Sequence, residues 1–344
     1  MLARKPFLTS TVGSFPQPDE LRKARIQVRN GNMRQGEYLA LCRRHSFSWI
    51  EFQKELGMDV LVGGEFERDD MAAYFGEFFG GRRLDFVRSY ENRFYRPIEY
   101  FEDIKHPGQS ILKDNFLFLK SAAEGQPVKE TITGPATMAD WAIIRHDGYY
   151  RDRVKFRMNF ADALRQEIES LIPAGLEILQ LDEPALTTSM ANFKMDLDAI
   201  RSTIGGLEDK LYLILHICYS GLDALNAAFP EILELPFHQI HMEMANRDYG
   251  LVKLIEKHGF AGKDIGLGVL DVHNDRVEAV DEIMDGIGKI LKLVEPGTNQ
   301  PVFAPEQIWL TPDCGMKNDR SAKEKLQRMT NVADICRGGL VVDK

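Results

Sequence analysis

The chain has 344 residues, 44% of them hydrophobic and 28% charged, with a formal net charge of −9 and a pI near 5.5. That apolar content supports a full core, and the acidic balance excludes the basic patch through which non-specific nucleic-acid and acidic-membrane binders work. Four cysteines (Cys42, Cys218, Cys314, Cys336) are too few for a disulfide framework. No run approaches the roughly 18 apolar residues of a membrane span, and MLARKPFLTSTVGSF lacks a signal peptide's apolar stretch. A cytoplasmic protein with small-molecule partners, and with no nucleic-acid or membrane partner, is expected.

In chain order, eight strand-like runs occur: KPFLTSTVG from 5, MDVLVGGE from 58, PVKETITG from 127, LEILQLDEP from 176, LYLILHIC from 211, FHQIHMEM from 237, DIGLGVLDV from 264 and QIWLTPDC from 307. Amphipathic stretches with apolar residues three and four apart lie between them, at 38–57, 110–124, 151–172, 250–259, 275–294 and 320–337. An N-terminal helix pattern covers 18–30. Strand and helix alternation implies parallel strands, and eight such units closing on themselves make a (β/α)8 TIM barrel, an α/β fold with catalytic groups at the C-terminal strand ends. A single barrel domain over 1–344 is expected. The aromatic- and arginine-rich stretch 78–109 breaks the repeat and reads as an extended excursion after the second strand, with a hairpin over the barrel mouth.

Polar motifs gather where the runs end: Gly13-Ser14, Glu65, Gly134-Pro135, Asp182-Glu183, His216-x-Cys218, Glu243, Asp271-x-His273 and Asp313-Cys314. Strand residues two apart share a face, so His216 and Cys218 can aim at one ion while Ile217 points away. With Glu243 and Cys314 they offer one imidazole, two thiolates and one carboxylate, a set that suits zinc better than magnesium or calcium. His241 lies on the face of Glu243 and is a candidate to approach the same ion. Asp182-Glu183-Pro184 has the alternative use of ending a strand and capping the next helix.

VGSFPQP (12–18), GGEFERDDMAAYFGE (63–77), TGPATMADWA (133–142), LQLDEPAL (179–186), HICYS (216–220), IHMEMANRD (240–248), GLGVLDVHNDRV (266–277) and PDCGMK (312–317) span nearly the whole chain. In these motifs the chain resembles the cobalamin-independent methionine synthase family, specifically its C-terminal catalytic barrel in stand-alone form. The resemblance implies transfer of a methyl group to homocysteine, with Zn2+ held by His216, Cys218, Glu243 and Cys314. It implies that Glu65 and Asp182 bind the homocysteine ammonium and that Val12, Gly13 and Ser14 bind its carboxylate. His273 matches the proton-donor histidine, and Trp141 and Arg93 match residues that contact a pterin ring. Thr188 stands where the family has a glutamate, a departure that puts the methyl donor in question: methyltetrahydrofolate is the first choice, and a methylcorrinoid, free or on an accessory protein, is the alternative.

Other classes are weighed against this. A barrel glycoside hydrolase would use strand-end carboxylates such as Glu65, Glu183 and Glu243, but has no use for two thiolates. A structural zinc site would show Cys-x-x-Cys knuckles, which the sequence lacks. A zinc-dependent thiol alkyltransferase acting on a different thiol would keep the four ligands and lose Glu65 and Asp182.

Overall fold

The computed structural model describes residues 4–90, 93–144, 148–188, 190–218 and 221–342, leaving out the side chains of 89, 90, 93, 94 and 339–342. The chain divides into two compact units, Met1–Glu67 with Asn115–Glu130 and Gln239–Lys344, and Arg68–Asp114 with Thr131–His238.

The first unit opens with β1 (Leu8–Thr9), α1 (Asp19–Arg29) and α2 (Gln35–Glu55). The second begins with α3 (Met71–Phe78), followed by the short strands β2 (Arg82–Arg83), β3 (Arg88–Tyr90), β4 (Arg93–Tyr95) and β5 (Ile98–Glu99). Next come α4 (Lys113–Ala122), β6 (Lys129–Thr133), α5 (Pro135–Trp141), α6 (Arg153–Leu171), β7 (Ile178–Asp182), α7 (Phe193–Ile204), β8 (Tyr212–Ile217) and α8 (Leu222–Leu233). The chain finishes with β9 (Gln239–Met242), α9 (Val252–His258), β10 (Asp264–Leu270), α10 (Val280–Leu291), β11 (Ile308–Pro312) and α11 (Ala322–Val342).

Seven strands hydrogen-bond in the order β1-β11-β10-β9-β8-β7-β6. The second strand-like run supplies the eighth. Val60 N donates to Thr9 O at 3.1 Å, Leu61 N to Pro127 O at 2.9 Å, and Lys129 N to Leu61 O at 2.9 Å. These bonds join β1 to the start of β6 through 60–62, so the eight runs form a (β/α)8 barrel. This strand is short because Gly64 and Glu65 turn into positive φ, at 90° and 57°. Strands β6, β7, β9, β10 and β11 are buried at every residue, as fits parallel strands covered on both faces.

The excursion is β-structured. Arg82 pairs with Glu99 and Arg83 with Ile98, and β3 and β4 form an antiparallel hairpin with Arg88 opposite Tyr95. Just after β5, Tyr100 joins an edge-on aromatic cluster in which Phe156 sits 5.0 Å from Phe160 and 4.7 Å from Tyr150. Full burial of each such ring contributes about 1.5–3 kcal/mol. The periodicity picked out α1, α2, α4, α6, α9, α10 and α11 but not α3, α5, α7 or α8. The seven-residue α5 is too short to show a period, and α8 carries Pro230 inside it. Among the described residues no helix is long and apolar enough to cross a membrane.

Candidate metal centre and surrounding site

Alternation along β8 carries His216 to the strand's end, and Cys218 comes two residues later; both are buried. Cys314 lies two residues beyond the end of β11, also buried. One ligand atom from each of His216, Cys218 and Cys314 lies within 4.8 Å of the others. A nitrogen and two sulfurs are the donor types of tetrahedral zinc sites, and three protein donors leave one position open. Asp182 is the register partner of His216 across β7 and β8, and its Oδ1 accepts from Gln180 Nε2 at 2.7 Å.

Glu243 comes just after β9 and is buried, and its Oε2 accepts from Arg247 Nη2 at 3.1 Å. Of the four ligand candidates the structure thus gathers three and ties the fourth to an arginine four residues on. The backbone after Glu243 is held by Asp313, whose carboxylate accepts from Met244 N at 2.7 Å, Ala245 N at 3.1 Å and Asn246 N at 2.7 Å. Burial pushes Asp313 up to about 8 against the pull of those amides. A Cβ on Gly268 would lie 2.1 Å from Asp313 Oδ1, and one on Gly266 would lie 2.8 Å from His241 Cδ2. The alternate glycines of β10 therefore clear one face for two buried polar side chains. His241 bonds through Nε2 to Thr311 Oγ1 at 2.7 Å and Pro312 O at 3.0 Å, and burial lowers it to about 3. It stands outside the group of three donors, held neutral in the core.

Three segments of the first unit converge on Ser14. Ser14 bridges to Gly64, and Met316 N donates to Ser14 O at 2.9 Å. A Cβ on Gly315 would sit 2.3 Å from Ser14 Oγ. Val12, Gly13 and Ser14 are thereby set beside the turn carrying Glu65 and beside the residue after Cys314. Glu65 takes a left-handed backbone at φ 57°, a conformation uncommon for any residue but glycine.

His273 stands on the turn after β10. Its backbone N and Nδ1 both face Asp271 Oδ1, at 2.8 and 3.1 Å, and Asn246 Nδ2 lies 3.4 Å from Nδ1. Asp271 is therefore its acidic partner, while Asp275 accepts from Arg320 N and Ser321 Oγ. The nearby carboxylate favours the tautomer with a proton on Nδ1, which leaves proton exchange to Nε2.

In the second unit a cavity of about 500 Å³ is lined by Trp141, Tyr95, Arg88, Arg153, Thr188 and Asn192, among others. One face of the Trp141 indole is stacked by Tyr95, at 4.7 Å between ring centroids and 22° between planes. Thr188 Oγ1 donates to Ala185 O at 2.9 Å. The Arg93 side chain lies outside the described residues. Glu183 caps a helix, but it is α5 rather than the helix next in the chain. Its Oε1 accepts from Ala136 N at 3.0 Å, and its Oε2 accepts from Thr137 N at 2.8 Å and Thr137 Oγ1 at 2.7 Å. Sequence reasoning missed Arg247, Asp313, Tyr95 and Asn246. Asp313 lies beside a candidate ligand, and Asn246 and Arg247 lie in the IHMEMANRD motif, but nothing local marks which groups they hold.

A parallel barrel whose strand ends hold an imidazole and two thiols in one buried group is a barrel with a candidate metal centre. The chain belongs to the family of the cobalamin-independent synthase catalytic domain, whose pattern it matches over residues 7–336. A 5-methyltetrahydropteroyltriglutamate–homocysteine methyltransferase from Bacillus licheniformis is 33% identical, over 96% of this chain and 42% of that protein. The chain thus spans about two fifths of such relatives. It is 32% identical to a methionine synthase from Saccharolobus solfataricus over 98% of this chain and 97% of that one. A methionine synthase from Sulfolobus acidocaldarius is 31% identical over 97% of this chain and 91% of its own. Among solved structures, a B12-independent methionine synthase from Shewanella sp. W3-18-1, in complex with selenomethionine, superposes with a TM-score of 0.79 at 23% identity, covering 98% of this chain and 100% of that one. That likeness is one of fold.

Proposed function

We propose that the chain methylates homocysteine to methionine at a zinc ion, with methyltetrahydrofolate as the methyl donor. The observation that carries this reading is the buried group of His216, Cys218 and Cys314 at the strand ends of a family member. Glu243 is assigned as the fourth ligand and, as the weakest of the four donors, is the one that would yield its position to the substrate thiol. A bound Zn2+ supplies the positive charge that keeps a thiol, mostly protonated near its free pKa of about 8.5, in its nucleophilic thiolate form at neutral pH.

The remaining work belongs to the chain's own groups. Glu65 and Asp182 are carboxylates suited to an ammonium, and Val12-Gly13-Ser14 offers backbone N–H groups and a hydroxyl to a carboxylate. The two ends of the amino acid are thereby held so that the thiol faces the donor's methyl carbon. A pterin N5 leaves poorly unless protonated; His273 supplies that proton from Nε2 while Nδ1 stays on Asp271. Trp141 and Arg93 receive the donor. A second reading, with a methylcorrinoid or a corrinoid protein as donor, draws support from the Tyr95 ring already on Trp141 and from the Thr188 hydroxyl turned to Ala185.

A methyl-transfer assay on zinc-quantified protein, with homocysteine and either methyltetrahydrofolate or methylcobalamin as sole donor, tests both readings. Turnover with the folate is expected. Turnover with the corrinoid alone moves the assignment to the second reading, and turnover with neither removes the self-contained enzyme. Cys218→Ser should lose zinc and turnover together, whereas His273→Asn should keep zinc and lose turnover.

A further inference from the structure

The turn that carries His273 is fastened by a buried cation that the proposed chemistry does not use. Lys325, in the first turn of α11, is fully buried in side chain, as is its partner Asp319. Its three ammonium donors are all engaged, with Asp271 O at 2.6 Å, Asn274 O at 2.5 Å and Asp319 Oδ2 at 2.9 Å. The two carbonyls close the ends of the four-residue turn in which His273 sits.

We propose that Lys325 is a positioning residue for His273, an inference that rests on the acid role given to that histidine. The path is short and made of direct hydrogen bonds. Lys325 holds Asp271 by its carbonyl, and Glu278 Oε1 holds it by its N–H at 2.9 Å. With its backbone pinned on both sides, Asp271 presents its carboxylate to the amide and Nδ1 of His273. The imidazole is about one-third exposed, and its polar contacts are with Asp271 on this turn and with Asn246, so the turn contributes directly to its direction.

Energetics favour a purpose beyond attaching the helix. Burying an ammonium and a carboxylate costs several kcal/mol per ion before their attraction repays it, and a well-packed apolar pair of similar volume often serves stability as well or better. Attachment is also provided elsewhere, because Ser321 Oγ donates to Asp275 O at 2.7 Å and Arg320 N to Asp275 Oδ1 at 3.1 Å. What the ammonium adds is two directed hydrogen bonds that set the angle of one turn, with a third that anchors the ammonium itself on Asp319.

The test is a double-mutant cycle on metal-loaded protein between Lys325→Met and His273→Asn. Because Lys325→Met strands the buried Asp319, a second set is built in the Asp319→Asn background, which removes both charges. The expected result is a fall in kcat of about tenfold to a hundredfold, the scale of a misplaced acid. Metal content and the KM for homocysteine should stay within about twofold, a change worth only about 0.4 kcal/mol. Adding His273→Asn should slow the enzyme no further than His273→Asn alone, since residues acting through one group do not add. The His273 ring resonance in proton NMR should shift or broaden in both Lys325 variants. Unchanged kcat, losses that multiply with those of His273→Asn, or an unmoved resonance overturns the proposal. If His273→Asn itself keeps full turnover, the acid reading falls and the positioning role falls with it; if only the Lys325 variants keep turnover, the positioning role alone falls.

Discussion

Asp313 in one unit and Glu183 in the other use the same device. Each is a buried carboxylate accepting from consecutive backbone amides, those of 244–246 for Asp313 and of 136–137 for Glu183. Each lies against a glycine, because a Cβ on Gly268 or Gly134 would come within 2.1 Å of the carboxylate. They differ in what else supports the clasped backbone. Glu183 caps the seven-residue α5, whose later turns carry their own hydrogen bonds, and the Thr137 hydroxyl adds a third donor. Asp313 clasps a single 3-10 turn, Ala245–Arg247, that runs into positive φ at Asp248 and Tyr249, 49° and 60°. A carboxylate has most leverage where the backbone has least of its own, and Asp313 acts between Glu243 and Cys314.

The largest effect should therefore come from Asp313→Ala. Three N–H groups, one buried and two part-buried, lose their acceptor at up to about 1–3 kcal/mol each before relaxation, so a loss on the order of 3–4 kcal/mol is expected in urea unfolding. Chelator competition should show weaker metal retention as well. A variant that keeps its metal and loses only stability would break the link between this clasp and the metal centre.

Gly268→Ala and Gly134→Ala come next, each expected to cost about 2–3 kcal/mol by forcing the carboxylate off its amides. If Gly134→Ala were tolerated while Gly268→Ala was not, the parallel between the two clasps would fail.

Glu183→Gln keeps the shape, removes the titration and should cost about 1–2 kcal/mol. Burial pushes Glu183 up to about 8 from 4.5, against three opposing donors. The folded form therefore binds its proton more tightly than the unfolded chain. Glu183's contribution is fully present below about 4.5 and is lost as pH rises through about 8. Wild-type Tm should fall across that window with a steeper slope than that of Glu183→Gln; parallel slopes would show that Glu183 does not titrate there. The smallest change, Thr137→Val, removes one hydroxyl donor and should cost about 1 kcal/mol, read as a Tm difference.

Legibility in the sequence tracked the range of the interactions. His216 and Cys218 are two residues apart on a strand, so their common face comes from the backbone period alone, and the buried runs of β6 to β11 announce themselves by composition. The clasps left no local mark. Glu183 works on amides 46 and 47 residues earlier, and Asp313 on amides 67 to 69 residues earlier. For Glu183 the local reading sent the cap to the wrong helix, since an acidic residue after a strand looks like a cap for the next helix in the chain. Tyr95 on Trp141 was equally hidden, because a ring in a hairpin does not declare which partner it stacks on.

The alternation of strands and helices, the barrel it implies, and the placing of reactive side chains at strand ends are legible in the chain alone, because they depend on periodicities of two and of three to four residues. Closure of the fold is what brings Arg247 to Glu243, gives His273 Asp271 rather than Asp275 as its partner, and sets Lys325 against the turn that carries them. Those choices depend on which distant backbone segments become neighbours and on which buried donors then need acceptors, and that matching exists only once the chain has closed.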